Sequence, residues 1–480
     1  MLFNSLEFMI YLPIVFLLYW FLGGKNRQQN LFLIIASYVF YGWWDWRFLI
    51  LIIATSLFSY TTGLLVGHYE GRRLLQQIWS TINIITNLGI LCIFKYYNFF
   101  VENLDLMFGV LGLHLDWVTL KIILPVGISF YTFQALSYTI DVYRGDIKPT
   151  RDIVAFFAYI SFFPQLVAGP IERAKDLLPQ FQKKRLFENR KAVDGLRQML
   201  WGFFKKLVIA DNCAFAVNSC WDAYAQLPGF TILFMGFLFT FQIYCDFSGY
   251  SDIAIGCARL FGVNLKRNFD YPYFSRNISE FWRKWHISLM TWFRDYIYFP
   301  LGGSRCTKWK VVRNTMIVFF LSGLWHGANW TYIMWGLYHA CLISILIIFS
   351  ISTKEGKSIG SGRLLPTIKE SLQMIVTYLL VVFGWIIFRA ENMTQCIGVL
   401  RAIFTNPFFK VNQVYGGICI IHIFLMLIIE WLQRNKQHAL QFPDKGLFLY
   451  RPFRWIVYVS MYVYIITSTG QSQTFLYFQF

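Results

Sequence analysis

Trp282-Arg283-Lys284-Trp285-His286 and, further along, Leu324-Trp325-His326-Gly327-Ala328-Asn329-Trp330 are the two stretches that decide how this chain is read. Only seven histidines occur in 480 residues, and two of them lie here, each directly after a tryptophan and inside apolar sequence. A proton-exchanging side chain is costly in a bilayer-spanning region, so an imidazole in such surroundings is a functional suspect by default.

The apolar surroundings extend over the whole chain. It is 57% hydrophobic, 20% aromatic and only 14% charged, with a mean hydropathy of +0.48. That is more apolar surface than one soluble core can bury, and it points to an all-α, polytopic membrane protein forming a single integral-membrane domain over residues 1–480. The net charge of +18 does not require a nucleic-acid partner. The Lys and Arg residues collect in short loops between apolar runs, as cytoplasmic loops do. Nine scattered cysteines, odd in number and without a CxxC pair, give neither a disulfide framework nor a metal site. The first apolar run, Phe8 to Leu22, lacks a basic leader and a small-residue cleavage site, so it is expected to be a retained helix.

Charge asymmetry sets the expected topology. Lys25 and Arg27 follow the first run and place the N-terminus outside. Residues 98–120, with Glu102, Asp105 and Asp116 and no basic residue before Lys121, are expected outside, as is the tail from Gln471 to Phe480. Apolar periodicity predicts about 11–12 crossings in all. Two apolar runs, Ile153 to Gly169 and Trp285 to Gly303, have basic sequence on both sides and are expected to be re-entrant. The segment 172–206, with ten Lys and Arg against four Asp and Glu, is expected on the cytoplasmic face. If the second re-entrant run is helical from its start, Trp285, Leu289, Trp292 and Tyr296 share one face while His286, Met290, Phe293 and Ile297 form another. The His326 segment is either the far turn of a hairpin or a break between helices at depth.

A neutral imidazole takes a proton from a hydroxyl and later returns it, which is the requirement for moving an acyl group from a thioester to an alcohol. His326 is the first candidate for that base. Gly327 and Ala328 leave space beside it, and Asn329 is placed to orient a substrate or to donate to a developing oxyanion. His286, after Arg283 and Lys284, is a candidate to bind the donor or position the acceptor, or else an interfacial anchor. Trp285, Trp325 and Arg283 belong to the same candidate site. Arg294-Asp295 is either an ion-paired structural element or a contact to the donor's phosphates. Asp246-Phe247-Ser248-Gly249-Tyr250-Ser251-Asp252 is polar for the end of a span. Its two carboxylates fall on different sides of a helix, so structural hydrogen bonding around Gly249 is expected there. His339 lies thirteen residues beyond His326, but a helix break between them removes the argument for a shared face. His68, His114, His422 and His438 read as loop or packing residues. No GxSxG elbow, Walker loop or HExxH motif is present.

Together these segments resemble the membrane-bound O-acyltransferase superfamily, in particular its bacterial branch of alginate and peptidoglycan O-acetylases. The resemblance also runs through Met1-Leu2-Phe3-Asn4-Ser5, Leu124-Pro125-Val126-Gly127-Ile128-Ser129-Phe130-Tyr131-Thr132-Phe133-Gln134 and Phe163-Pro164-Gln165-Leu166-Val167-Ala168-Gly169-Pro170-Ile171. It implies a ring of helices around a central tunnel, with the family histidine at His326 and the second polar position at His286. It implies a bacterial inner-membrane enzyme with no bound cofactor, using cytosolic acetyl-CoA as acyl donor. An extracytoplasmic partner protein would complete transfer to a polysaccharide acceptor. Two other functions are consistent with the residues: D-alanyl transfer from a carrier protein, as in teichoic-acid modification, and transport without covalent chemistry. A transporter would spread buried charges along several spans, whereas here the polar groups gather around the two Trp-His segments.

Overall fold

The computed structural model describes residues 1–110, 112, 124–167, 169–351, 359–409, 416–442 and 446–476, and every regular element among them is helical. His114, Asp116 and residues 477–480 of the expected external tail lie outside the described residues. The chain forms two compact units, one of residues 1–192 with 257–266 and the other of residues 193–256 with 267–480.

The first unit begins with α1 (Leu6–Phe21), α2 (Asn26–Gly42), α3 (Arg47–His68), α4 (Arg73–Lys95), α5 (Tyr97–Val110) and α6 (Ile128–Arg144). Helix α5 occupies the acidic stretch that charge alone marked as external. Polar side chains tie α3 to α4: Asn83 donates to Ser59 Oγ at 3.2 Å and to Thr62 Oγ1 at 2.8 Å, and Asn87 reaches Ser59 Oγ at 3.3 Å. Such amide-to-hydroxyl bonds substitute for the hydrophobic force that is missing between helices in lipid. Helix α6 is buried along nearly its whole length, as its unusually polar sequence requires. The run from Ile153 breaks into α7 (Ile153–Ser161), capped by Asp152, and a single turn, α8 (Phe163–Leu166). Nine residues rise only about 14 Å, half of a hydrocarbon core, which agrees with a non-crossing element. Helices α9 (Ala174–Gln182) and α10 (Asn189–Phe203) follow. The basic segment 172–206 is less solvated than its charge suggested: Arg173 and Arg185 are buried, and Arg185 donates to Asn30 Oδ1.

In the second unit, helical structure continues from α10 through a π-helical turn, Phe204–Ala210, into α11 (Asp211–Cys220), and α12 (Gly229–Leu260) packs across it. The crossing is made by glycines. A Cβ on Gly202 would lie 2.6 Å from Gly249 O, and one on Gly256 would lie 2.3 Å from Gly195 O, so only glycine lets these backbones approach. Beside the crossing, the π turn aims Lys205 and Lys206 inward, correcting their assignment to a cytoplasmic basic face. Lys206 Nζ lies 2.8 Å from both Asp211 and Asp246, and Lys205 pairs with Asp252 and donates to Ser248 Oγ at 2.9 Å. The polar run 246–252 is therefore a structural ion-pair station, as its hydrogen-bonding potential around Gly249 suggested. The segment 469–476 returns to the same place: Leu476 N donates to Asp246 Oδ2 at 2.7 Å, and the Phe475 ring packs 4.2 Å from that of Tyr250. Residues 475 and 476 of the expected tail are thus buried.

The remaining elements of this unit are α13 (Ile278–Lys284), α14 (Ile287–Phe293) with a π turn at Arg294–Tyr298, α15 (Lys308–His326) and α16 (Trp330–Ile348). Then come α17 (Ile368–Arg389), α18 (Met393–Thr405), α19 (Gly417–Leu432) and α20 (Arg451–Ser468). Helix α15 starts earlier than its apolar run, so Lys308, Lys310 and Arg313 sit on its first turns. Helices α15 and α16 form a hairpin held by close backbone contact: a Cβ on Gly336 would lie 2.2 Å from Phe319 O, and one on Gly323 would lie 2.3 Å from Tyr332 O. Among the described residues, α3, α4, α12, α16 and α17 are long and apolar enough to cross a bilayer, and the chain is a polytopic membrane protein. All nine cysteines are free.

Two consequences for stability follow from these contacts. Gly336→Ala, which drives a methyl into a backbone carbonyl, is expected to destabilise the folded protein by about 1–3 kcal/mol, whereas Gly89→Ala, facing open space, is neutral. Thermal unfolding of the two variants in one detergent checks the contrast. Lys206→Met leaves Asp211 and Asp246 buried against one another without their cation and is expected to cost about 3–5 kcal/mol. Loss of monodisperse protein on size exclusion, restored in part by the triple variant that also neutralises both aspartates, is the expected readout.

Candidate functional site

Helix α13 is started by Asn277, whose side chain accepts from Glu280 N at 2.8 Å, and it stops at Lys284. Trp285 is extended, His286 adopts left-handed backbone (φ 44°, ψ 53°), and α14 resumes at Ile287. Trp285 and His286 therefore sit in a break and not on a continuous helix, so the two-face arrangement expected from position 285 onward does not form. Helix α14 with its π turn runs for 12 residues, roughly 18 Å, too short to cross a hydrocarbon core of about 30 Å.

The break turns the His286 imidazole into an aromatic enclosure. Its ring centre is 4.6 Å from Phe247, 5.9 Å from Trp325 and 6.4 Å from Phe269. The residue is 1% exposed, which is not the environment of an interfacial anchor.

His326 closes α15, and Asn329 opens α16 three residues later by accepting from Thr331 N at 3.0 Å, so the polar segment is the far turn of a hairpin. The amide nitrogen of Asn329 donates to Glu391 O. The His326 ring lies 4.9 Å from Trp325, 5.0 Å from Trp335 and 5.4 Å from Phe388, and the residue is 5% exposed. Trp325 is thus shared, packed against both imidazoles. Trp335 continues the enclosure to Trp385 at 5.6 Å, which in turn packs against Trp285 at 4.8 Å.

A third histidine joins this cluster. His339 is fully buried, 5.4 Å from Trp335 and 4.9 Å from Trp282, and neither ring nitrogen has a hydrogen-bond partner among the described residues. The break between positions 326 and 339 is real, yet the hairpin folds α16 back along α15 and returns His339 to the same aromatic wall. The signal that could have found it was local: Trp335 and His339 are four apart and share a helical face.

The remaining candidates divide. Trp285 and Trp325 are buried in the enclosure, whereas Arg283 is exposed. Arg294 Nε pairs with Asp295 Oδ1 at 2.7 Å, with the guanidinium side half-exposed. Arg294 also lines a cavity of about 330 Å³ with Met290, Tyr298, Thr315, Phe319 and Ile343 among its other walls. His286 and His326 do not line this cavity. At its inner end Phe319 packs 5.2 Å from Trp282, the ring that touches His339, so aromatic side chains separate the cavity from the imidazoles. Of the other histidines, His422 Nδ1 is 2.6 Å from Tyr464 Oη, His438 Nε2 is 3.1 Å from Asp194 and His68 packs on Tyr69.

Comparison with known proteins bears on this arrangement. Residues 147–354, which contain both Trp-His segments, match the model of MBOAT, the membrane-bound O-acyltransferase family. The probable alginate O-acetylase AlgI of Pseudomonas aeruginosa is 41% identical over 86% of this chain and 76% of its own length. The peptidoglycan O-acetyltransferase of Helicobacter pylori is 31% identical over 100% of this chain and 98% of its own. The teichoic acid D-alanyltransferase of Bacillus subtilis is 32% identical over 55% of this chain and 69% of its own. With an all-helical membrane fold, two buried histidines packed against a shared tryptophan and these relatives, the chain belongs to the membrane-bound O-acyltransferase family, and it is an O-acetyltransferase.

Proposed function

We propose that this enzyme moves acetyl groups from cytosolic acetyl-CoA to hydroxyls of an exported polysaccharide, with His326 as general base and His286 as its partner in the same chamber. The observation that carries the proposal is the shared Trp325, whose ring lies 4.9 Å from His326 and 5.9 Å from His286. A neutral imidazole at His326 accepts the proton of the attacking hydroxyl as its oxygen bonds to the thioester carbon. As the C–S bond breaks, the same proton passes to the leaving thiolate. Acceptors of this class are supported by the names of the relatives from P. aeruginosa and H. pylori, an alginate O-acetylase and a peptidoglycan O-acetyltransferase.

The donor is assigned to the cavity beside Arg294. Its walls are mostly apolar, and its volume of about 330 Å³ lies at the lower end of ordinary small-ligand sites, a match for a pantetheine arm; the acyl end reaches His326 only by passing the Phe319 and Trp282 rings that separate the cavity from the imidazoles. Arg294 supplies a guanidinium for a phosphate, and Arg305, Lys308, Lys310 and Arg313 follow it in sequence. By the positive-inside rule that end is cytoplasmic, which agrees with the N-terminus placed outside by Lys25 and Arg27 and with residence in a bacterial inner membrane. A separate extracytoplasmic protein completes the delivery to polymer.

Two measurements test this. His326→Ala is expected to remain folded and inserted while transfer of labelled acetyl from acetyl-CoA falls to background in reconstituted vesicles; retained transfer removes the assigned role. Labelling supported only by an aminoacylated carrier protein would instead favour D-alanyl transfer. Arg294→Ala is expected to raise the KM for acetyl-CoA by roughly tenfold, the equivalent of one lost charge-assisted hydrogen bond, with kcat little changed.

A further inference from the structure

The left-handed conformation of His286 is held from a neighbouring segment, and the residue that holds it is Asn268. Ile287 N donates to Asn268 O at 2.9 Å, Ser288 N donates to Asn268 Oδ1 at 3.2 Å and Ser288 Oγ donates to the same oxygen at 2.9 Å. On the other side Asn268 Nδ2 faces Ser251 Oγ at 3.4 Å, which fixes which end of the amide points to Ser288. Two residues further, Asp270 N donates to Lys284 O at 2.9 Å. Residues 268–270 thus bracket Trp285 and His286 with one backbone bond on each side.

The first amides of a helix have no partner inside it, and ordinarily the side chain of the capping residue takes one of them. His286 occupies that capping position before α14 and makes no side-chain cap. Asn268 supplies the missing acceptor from outside the helix. Asn268 is 1% exposed and Ser288 is 5% exposed, so water does not compete for these bonds. If the turn relaxed to right-handed geometry, α13 and α14 would tend to merge, and the imidazole would swing to the face carrying Met290, away from Phe247 and Trp325.

We propose that Asn268 is a positioning residue for His286, acting through the first turn of α14 and touching neither substrate nor donor. This rests on the place given above to His286 in the acetyl-transfer chamber. The test uses the purified, reconstituted enzyme and the variants Asn268→Ala, Asn268→Asp, His286→Ala and the double variant Asn268→Ala with His286→Ala. Asn268→Ala is expected to lower kcat by roughly 10–100-fold, the scale of a group displaced by about 1 Å, with the donor KM little changed. Asn268→Asp, which keeps the acceptor oxygen, recovers most of the loss, and Asn268→Ala causes no further loss in the His286→Ala background. The imidazole nitrogen resonances of His286 shift in Asn268→Ala and return in Asn268→Asp. Equal losses from Asn268→Ala in both backgrounds, or unmoved resonances in a folded variant, overturn the proposal. Full turnover by His286→Ala combined with shifted resonances in Asn268→Ala overturns the functional role of His286 and leaves the clamp standing.

Discussion

A helix that stops inside a membrane protein releases amides and carbonyls that lipid cannot satisfy, so every such stop must be met by protein. The chemistry-bearing part of this chain is built around that constraint. Helix α13 stops at Lys284 and α14 restarts after a left-handed histidine, with the freed amides taken up by Asn268. Helix α15 stops at His326 and α16 restarts at an Asn329 cap. The first stop turns His286 out of the helical register, the second ends α15 on His326, and both imidazoles lie against Trp325.

Charge in the second unit obeys the same constraint. Lys205 and Lys206 are carried inward by a π-helical turn and meet Asp211, Asp246 and Asp252 beside a crossing of glycines. Buried ion pairs of this kind add little net stability, but removing one member strands the others, which makes them fixed points of the packing. Phe247, which follows Asp246 in sequence, lies 4.6 Å from His286. The ion-pair station therefore also anchors one wall of the imidazole enclosure.

Much of this was visible in the sequence, for reasons that can be named. Two histidines after tryptophans in apolar surroundings are costly and rare, so both stood out, and their contexts matched a family. The hairpin at His326 was marked by Gly327 and Asn329 between two apolar runs. Other features had no local mark. The break at His286 carries neither glycine nor proline, and the residue that stabilises it is eighteen positions earlier in sequence. Lys205 and Lys206 end a base-rich segment, and nothing near them announces partners on another helix. His339 differs from these in having a local mark, the Trp335 four residues before it, but the break after His326 hides the link between the two histidines, because a shared-face argument holds for a straight helix and not for a chain that folds back on itself.

The glycine seam between α15 and α16 has a further meaning. Because Gly323 meets Tyr332 O and Gly336 meets Phe319 O with no side chain between, the two helices are locked in axial register, and His326 and His339 are ruled off from that lock by three residues each. Adding or deleting one residue between seam and imidazole would rotate the ring by about 100° around its helix axis. In homologues the intervals 323–326 and 336–339 should therefore hold constant length even where the surrounding sequence drifts.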